Sequence, residues 1–137
     1  LVGGGEGVTD LLAGMSREEK VGQMTQLTLH PLCVPPYGPT DTAKLDPAKI
    51  REAIVERGVG SIFNVAGRPL DRSEWRALLE ESQDIAVGES RLGIPVLFGL
   101  DAVHGSGYTD DATIFPHNLG LAATWRPELS REASRIT

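Results

Sequence analysis

The sequence has little cysteine, no excess of positive charge and no long apolar run, and each shortage excludes a class of protein. Cys33 is its only cysteine, which excludes an internal disulfide and a metal site built from several cysteines. The sequence has 13 Lys and Arg and 19 Asp and Glu, which gives a net charge of −6. Proteins that bind phosphate backbones or anionic lipids instead carry clustered cations. No apolar run approaches the roughly 20 residues that cross a bilayer. We therefore expect neither nucleic acid nor a membrane as a partner.

What is present is the composition of a folded domain. Hydrophobic residues make up 40% of the chain and charged residues 23%, close to the average of globular proteins. The length of 137 residues suffices for about one domain with one core. The chain starts at Leu1 and reaches Thr137 inside a helical pattern, so we expect it to be a piece of a longer protein. No charged segment followed by an apolar one, the pattern of a signal peptide, is visible.

Capping signals and hydrophobic spacing predict several helices. Ser16 and Glu19 fit a capping box that opens a helix expected to run to about Leu29. Asp46, followed by proline, opens a second helix, and Asp71 opens a longer third one. Apolar residues at helical spacing predict which faces of the last two helices are buried. The expected buried positions are Ile50, Ala53, Ile54, Trp75, Leu78, Leu79, Ser82 and Ala86.

Two short apolar stretches, residues 59–64 and 94–100, predict strands, and residues 112–121 are a candidate for a third extended segment. Residues 31–46, with four prolines, are expected to form a surface loop, and Pro127 opens a last helix. Because helices separate the two strands, an α/β fold with a parallel sheet is indicated. A (β/α)8 barrel needs about 250 residues, so this chain would supply roughly half of one.

Asp101 is the strongest candidate for a functional residue. It directly follows an apolar strand, and an ionised carboxylate at such a place is costly unless it has a partner. In parallel α/β folds, ligands bind at the carboxyl ends of the strands. A carboxylate only accepts hydrogen bonds, and its two oxygens suit two adjacent hydroxyls of a polyol. The alternative is a carboxylate that caps backbone amides in a tight turn.

The same region holds three other residues that could carry chemistry, namely His104, Ser106 and His117. Asp101, His104 and His117 could in principle ligate a divalent metal, but no further ligand is identifiable, so we expect no metal site. The structural interpretation of His104 is a residue that orients the loop, and that of His117 is a buried ring with satisfied nitrogens. Ser106 is not expected to be a nucleophile, because Tyr108 and His104 occupy the places of the glycines in a G-x-S-x-G turn.

Four stretches together resemble the N-terminal domain of family 3 glycoside hydrolases. They are residues 15–26 (MSREEKVGQMTQ), 58–62 (GVGSI), 91–105 (RLGIPVLFGLDAVHG) and 112–121 (ATIFPHNLGL). The first stretch alone would be a weak signal, but the last two are specific, and the order and spacing also agree. The resemblance extends from about residue 9 to the last residue.

The resemblance implies that residues 1–137 are the N-terminal part of a TIM-like (β/α)8 catalytic domain, with no second domain. It implies hydrolysis of terminal, usually β-linked, sugars with retention, and substrates such as β-linked oligosaccharides or aryl and alkyl glycosides. The aspartate of the DAVHG motif, here Asp101, would bind hydroxyls of the terminal sugar. The nucleophile and the acid/base would lie outside this chain, so no catalytic residue is expected within it.

The resemblance implies no cofactor, and it suggests a periplasmic or secreted location. It leaves the sugar, the linkage and the oligomeric state open. One alternative also stays open at this point: a non-catalytic module that binds sugar or a partner protein and folds from these residues alone.

Overall fold

The protein is described by a computed structural model, which covers residues 6–35, 43–64 and 67–137. Short strands alternate with helices along the chain, and the third helix ends in one wider turn of π-helix over Glu52–Glu56. A single 3-10 turn covers His30–Leu32. The elements are α1 (Glu6–Gly14), α2 (Arg17–Gln23), β1 (Gln26–Thr28), α3 (Pro47–Arg51), β2 (Ser61–Phe63), α4 (Arg72–Glu89), β3 (Leu97–Gly99), α5 (Asn118–Ala123) and α6 (Pro127–Ile136).

The three strands form one parallel sheet in the order β1-β2-β3. The register places Leu27 beside Ile62 and Ile62 beside Phe98. Helices lie in the connections between consecutive strands, because parallel neighbours need a crossover rather than a hairpin. The chain is therefore an α/β protein, as the sequence predicts.

Side-chain caps fix the starts of the main helices. Ser16 accepts a hydrogen bond from the Glu19 amide while the Glu19 carboxylate accepts one from the Ser16 amide, which confirms the predicted capping box. Asp46 caps α3 by accepting from the amides of residues 48 and 49. Asp71 forms a second capping box, with Glu74, at the start of α4. These three helix starts are where the sequence places them.

The core lies between the sheet and the helices α3 and α4. Its largest fully buried apolar side chains are Ile62 in β2, Ile50 in α3, and Leu29, Cys33 and Leu70 in the connecting segments. On α4, the predicted stripe of buried residues is confirmed for Trp75, Leu78, Ser82 and Ala86. The buried apolar cluster comprises Leu29, Leu32, Cys33, Leu45, Ile50, Ala53, Ile54, Val59, Ile62, Leu70, Trp75, Leu78, Ile85, Ala86 and Val96.

The helix expected to reach Leu29 is shorter, and this prediction was wrong. Helix α2 ends at Gln23, and Gln26–Thr28 form β1 instead. The apolar spacing continues past Gln23, but pairing with β2 supplies backbone hydrogen bonds that a further helical turn would have to give up. Leu29 is fully buried and its amide donates to the Phe63 carbonyl at 2.9 Å, which extends the contact between β1 and β2.

Two further predictions need correction. The expected strand over 94–100 is only three residues long, and Leu97 is 73% exposed rather than buried on both faces. In place of an extended segment through residue 121, the chain folds into helix α5 over Asn118–Ala123. In the proline-rich segment, Cys33 and Leu45 pair as an antiparallel bridge, and the predicted loop's residues 36–42 lie outside the described residues.

Over the parts of the chain that the structure describes, no helix combines the length and the apolar character needed to cross a membrane.

Candidate functional site

Two polar residues meet at the carboxyl edge of the sheet, one after each of two neighbouring strands. Asn64 directly follows β2, and Asp101 follows β3. The Asn64 side-chain amide donates to Asp101 Oδ2 at 3.2 Å, and the Asp101 backbone amide donates to Asn64 Oδ1 at 3.0 Å. The Asn64 backbone amide donates to the Gly99 carbonyl at 2.8 Å. Three hydrogen bonds therefore join the ends of the two strands.

The backbone at Asn64 has left the extended conformation of the strand. Its φ is +58°, in the left-handed region, where asparagine is one of the few residues with a side chain that is well tolerated. This turn ends β2 and brings the side-chain amide beside the turn that follows β3. The left-handed conformation of Asn64 therefore both ends β2 and makes the contact with Asp101 possible.

The Asp101 carboxylate is exposed and keeps acceptor capacity for a ligand. Among the described residues, its side chain has one hydrogen-bond partner, the Asn64 amide on Oδ2. A carboxylate offers about four lone-pair positions. Oδ1 and the rest of Oδ2 can therefore accept donors such as hydroxyls from a bound molecule.

His104 is exposed and ties the following loop together. Its Nδ1 lies 3.0 Å from the Phe115 carbonyl oxygen, and the Phe115 amide donates to the His104 carbonyl at 2.9 Å. Because a carbonyl only accepts, Nδ1 carries the proton in this hydrogen bond. The reciprocal pair closes residues 104–115 into one loop beside Asp101.

Gly105 allows the loop to close. Its φ is +80°, and a β-carbon there would lie 2.9 Å from the Phe115 ring and 2.9 Å from the Thr113 carbonyl oxygen. Any other residue would be strained in its backbone and would also collide with the far side of the loop. The glycine that follows His104 is thus required by the geometry of the loop.

His117 is exposed, so the expectation that its ring is buried was wrong. Its Nδ1 accepts a hydrogen bond from the Leu119 amide at 3.1 Å, which makes it the N-cap of α5. Its ring lies edge-on to that of His104, with centroids 5.2 Å apart. In the described ranges, no group of three or more His, Cys, Asp or Glu side chains is placed to hold a metal ion.

The loop after His104 is held against the start of α4. Leu70 and Tyr108 are joined by a backbone hydrogen bond of 3.0 Å, and the Trp75 indole nitrogen donates to the same Tyr108 carbonyl at 3.2 Å. The Asp110 amide returns a hydrogen bond of 2.9 Å to the Leu70 carbonyl. Ser106 has its hydroxyl 3.1 Å from that of Thr109.

An ion pair fixes the turn on which this loop rests. The Arg68 guanidinium contacts the Glu74 carboxylate through two nitrogens, one of them at 2.9 Å, and both side chains are largely shielded from solvent. The guanidinium lowers the pKa of Glu74 and the carboxylate raises that of Arg68. Both groups therefore stay charged, and the turn that carries Leu70 is fixed to the first turn of α4.

Asn64 is the residue of this site that sequence reasoning missed. The sequence places it at the end of the predicted strand 59–64 without giving it a role. The available signal was that a polar side chain follows each of two adjacent parallel strands, and such strand ends share one edge of the sheet.

The sequence is similar to those of several known proteins. A family model described as "Glycosyl hydrolase family 3 N terminal domain" matches residues 16–137. "Lysosomal beta glucosidase" of Dictyostelium discoideum is 36% identical over an alignment of 138 positions that covers 95% of this chain and 16% of that protein. "Periplasmic beta-glucosidase" of Salmonella typhimurium is 35% identical over 130 residues, 95% of this chain and 14% of that protein.

A fungal relative adds a third comparison. "Beta-glucosidase C" of Emericella nidulans is 30% identical over an alignment of 140 positions that covers 96% of this chain and 21% of that protein. The chain thus matches these relatives along nearly all of its own length but spans less than a quarter of theirs.

Proposed function

The chain belongs to the family of glycosyl hydrolase family 3 N-terminal domains, and on that basis we propose that it is the opening portion of a glycosidase catalytic domain. The domain would be a TIM-like (β/α)8 barrel, of which β1, β2 and β3 are the first strands. The similarity to three proteins named as β-glucosidases supports a substrate with a terminal β-linked sugar. This substrate would be a β-linked oligosaccharide or an aryl or alkyl β-glycoside.

Within that enzyme, Asp101 binds hydroxyls of the terminal sugar. The single observation that carries this assignment is the exposed carboxylate at the carboxyl end of β3, with Oδ1 free of partners among the described residues. In parallel barrels this edge of the sheet faces the substrate. Sugar hydroxyls donate to a charged acceptor there, and such charge-assisted bonds are stronger than neutral ones.

Cleavage itself requires groups that Asp101 does not provide. Retaining hydrolysis uses two carboxyl groups about 5–5.5 Å apart, one as nucleophile and one as acid and then base. Asp101 is joined to an amide rather than to a second carboxyl group. It therefore acts as a binding residue, and the nucleophile and the acid/base come from the rest of the longer protein.

Binding at Asp101 contributes to the rate as well as to affinity. If its hydrogen bonds shorten as the sugar ring flattens toward the oxocarbenium-like transition state, they stabilise that state more than the ground state. Removing them then lowers kcat in addition to raising KM.

Steady-state hydrolysis of an aryl β-glucoside by the full-length protein tests this assignment. Asp101→Ala removes two charge-assisted hydrogen bonds, and we expect kcat/KM to fall by about 100-fold or more. Asp101→Asn keeps the size but loses the charge and one acceptor, so it should be nearly as damaging. Circular dichroism of each variant checks that the fold is intact.

His104→Ala is the matched comparison, because the His104 ring contacts the Phe115 carbonyl and the His117 ring. His104→Ala should lower kcat/KM by less than Asp101→Ala does. If Asp101→Asn retained the kcat/KM of the parent protein, Asp101 would be a turn-capping residue and not part of the sugar site.

A further inference from the structure

The geometry at the carboxyl edge points to a second functional position: we propose that Asn64 is a positioning residue that sets the orientation of the Asp101 carboxylate toward the sugar. This inference rests on the proposed function of Asp101. It assigns Asn64 a role in binding and turnover, through Asp101, and not in the chemistry of bond cleavage.

The first argument is that Asn64 holds Asp101 from two sides. Its amide nitrogen donates to the carboxylate and its amide oxygen accepts from the backbone of the same residue. A free aspartate side chain rotates about both of its side-chain torsions, and a bound sugar would have to halt that rotation. With both bonds in place, the carboxylate is already oriented before the sugar arrives.

The second argument is that the contact makes the two carboxylate oxygens unequal. Oδ2 already accepts from Asn64, whereas Oδ1 has no hydrogen-bond partner among the residues that the structure describes. A sugar hydroxyl therefore finds its most available acceptor at Oδ1. Asn64 thus selects which oxygen of Asp101 is presented to the ligand.

The third argument is that position 64 requires both a left-handed backbone and a side chain that donates to Asp101, and asparagine meets the two requirements together. A φ of +58° is suited to glycine, asparagine and aspartate. Glycine has no amide, and aspartate would place a second negative charge against Asp101. Only asparagine of these three combines the backbone conformation with a donor for the carboxylate.

A kinetic comparison in the full-length protein tests the proposal. Asn64→Gly keeps the favourable backbone conformation and removes both side-chain hydrogen bonds. We expect kcat/KM for an aryl β-glucoside to fall by about tenfold, the loss of one hydrogen bond to a charged group. The midpoint of thermal unfolding should stay close to that of the parent protein.

A double-mutant cycle shows whether Asn64 acts through Asp101. In the Asp101→Ala background, Asn64→Gly should reduce kcat/KM by less than twofold, because the carboxylate that it positions is gone. A residue with a merely structural role would produce the same further loss in both backgrounds. Equal losses in the two backgrounds would overturn the proposal.

Asn64→Asp gives a second readout that does not depend on the glycine variant. At neutral pH it should be more damaging than Asn64→Gly, because it replaces a donor with a negative charge beside Asp101. Its activity relative to the parent protein should rise as the pH falls, since a proton shared by the two carboxyl groups restores a donor. If Asn64→Gly fails to fold, the pH dependence of Asn64→Asp activity tests the proposal by itself. A pH profile parallel to that of the parent protein overturns the proposal.

Gln26→Ala is the matched control. It removes another side-chain hydrogen bond between neighbouring strands, from the Gln26 amide to Ser61 Oγ at 2.8 Å, without touching Asp101. It should leave kcat/KM within about threefold of the parent. If Asp101→Asn is damaging while both Asn64 variants match the parent, the role of Asn64 is wrong and that of Asp101 stands. If Asp101→Asn is also harmless, the proposed function itself fails.

Discussion

At the scale of single residues, many charged side chains form ion pairs, and Glu19 shows how such a pair changes a pKa. The Arg91 guanidinium donates to Glu19 at 2.8 Å and the Ser16 amide donates to it at 2.7 Å. These hydrogen bonds, that of Arg91 first, lower the pKa of Glu19 to about 2. Arg91 also donates to the Gly14 carbonyl at 2.9 Å, so one guanidinium joins the end of α1 to α2.

The lowered pKa predicts an acid-sensitive contribution to stability. A carboxyl group whose pKa is lowered by folding stabilises the folded state at pH values above the pKa that it has in the unfolded chain, here 4.5. This contribution is lost as the pH falls toward 2. In thermal unfolding of the full-length protein, Glu19→Gln should lower the midpoint by a few degrees at most at pH 7, since Arg91 is largely exposed. The difference in unfolding midpoint between this variant and the parent protein should be smaller at pH 3 than at pH 7.

Glu132→Gln provides the control for this prediction. Glu132 pairs with Arg135 within α6, so its ion pair joins no two elements. Its effect at pH 7 should be smaller than that of Glu19→Gln. If the difference in unfolding midpoint between Glu19→Gln and the parent were the same at pH 7 and at pH 3, the charge of Glu19 would contribute nothing to stability.

The residue scale also shows which parts of the site a sequence can reveal. Asp101 stands out because a carboxylate directly after an apolar strand has few structural explanations. Asn64 does not, because its role depends on which strand becomes the neighbour of β2, and the sequence does not state that pairing. His117 was misplaced for a related reason: a histidine in an apolar stretch looks buried until the start of α5 requires a cap.

At the scale of elements, α2 packs against the turn before β2 at a distance that only glycine permits. A β-carbon at Gly22 would lie 2.3 Å from the Arg57 carbonyl oxygen and 2.6 Å from that of Gly58. The Gly60 amide donates to the Gly22 carbonyl at 3.0 Å, and the Gln23 side chain donates to the Gly58 carbonyl at the same distance. The close approach and these hydrogen bonds depend on each other.

This contact predicts opposite effects for two glycine substitutions within helices. Gly22→Ala should destabilise the fold by about 1–3 kcal/mol, because α2 must move away from the backbone that it contacts. Gly88→Ala, in α4, meets nothing within 4 Å and should stabilise the fold by about 0.5–1 kcal/mol through helix propensity. Thermal unfolding of both variants beside the parent measures the difference. The same sign for both would contradict the close approach at Gly22.

Elements with local signals were predicted well, and those that depend on distant pairing were not. The starts of α2, α3 and α4 carry capping residues within a few positions, so the sequence alone locates them. Strand β1 carries no such signal, since its three residues continue an apolar spacing of helical type and become a strand by pairing with β2. The parallel pairing of β2 with β3 followed from the alternation of strands and helices along the sequence.

At the scale of the whole molecule, the sheet has two outer strands that pair on one side only, among the described residues. Leu97, on β3, is 73% exposed. An open parallel edge with apolar neighbours is prone to association. We therefore expect the isolated 137-residue chain to bind a hydrophobic dye, to give weak near-ultraviolet circular dichroism and to aggregate.

The same isolated chain should show no measurable hydrolysis of an aryl β-glucoside, because retention needs two carboxyl groups across the scissile bond. Size-exclusion chromatography, thermal unfolding and a chromogenic assay on one preparation check the three properties together. A monomer with a sharp, reversible unfolding transition would instead identify a complete domain and favour a non-catalytic sugar-binding or interaction module.

The parallel register has a consequence for the order in which the molecule is made. Gln26 and Ser61, paired across β1 and β2, lie 35 residues apart, and Asn64 and Asp101 lie 37 residues apart. A ribosome adds about 5–20 residues per second, N-terminus first. Each strand can therefore join its predecessor within seconds of emerging. The contact between Asn64 and Asp101 needs no residue synthesised after β3 and its turn, so the nascent chain can make it as soon as Asp101 has left the ribosome.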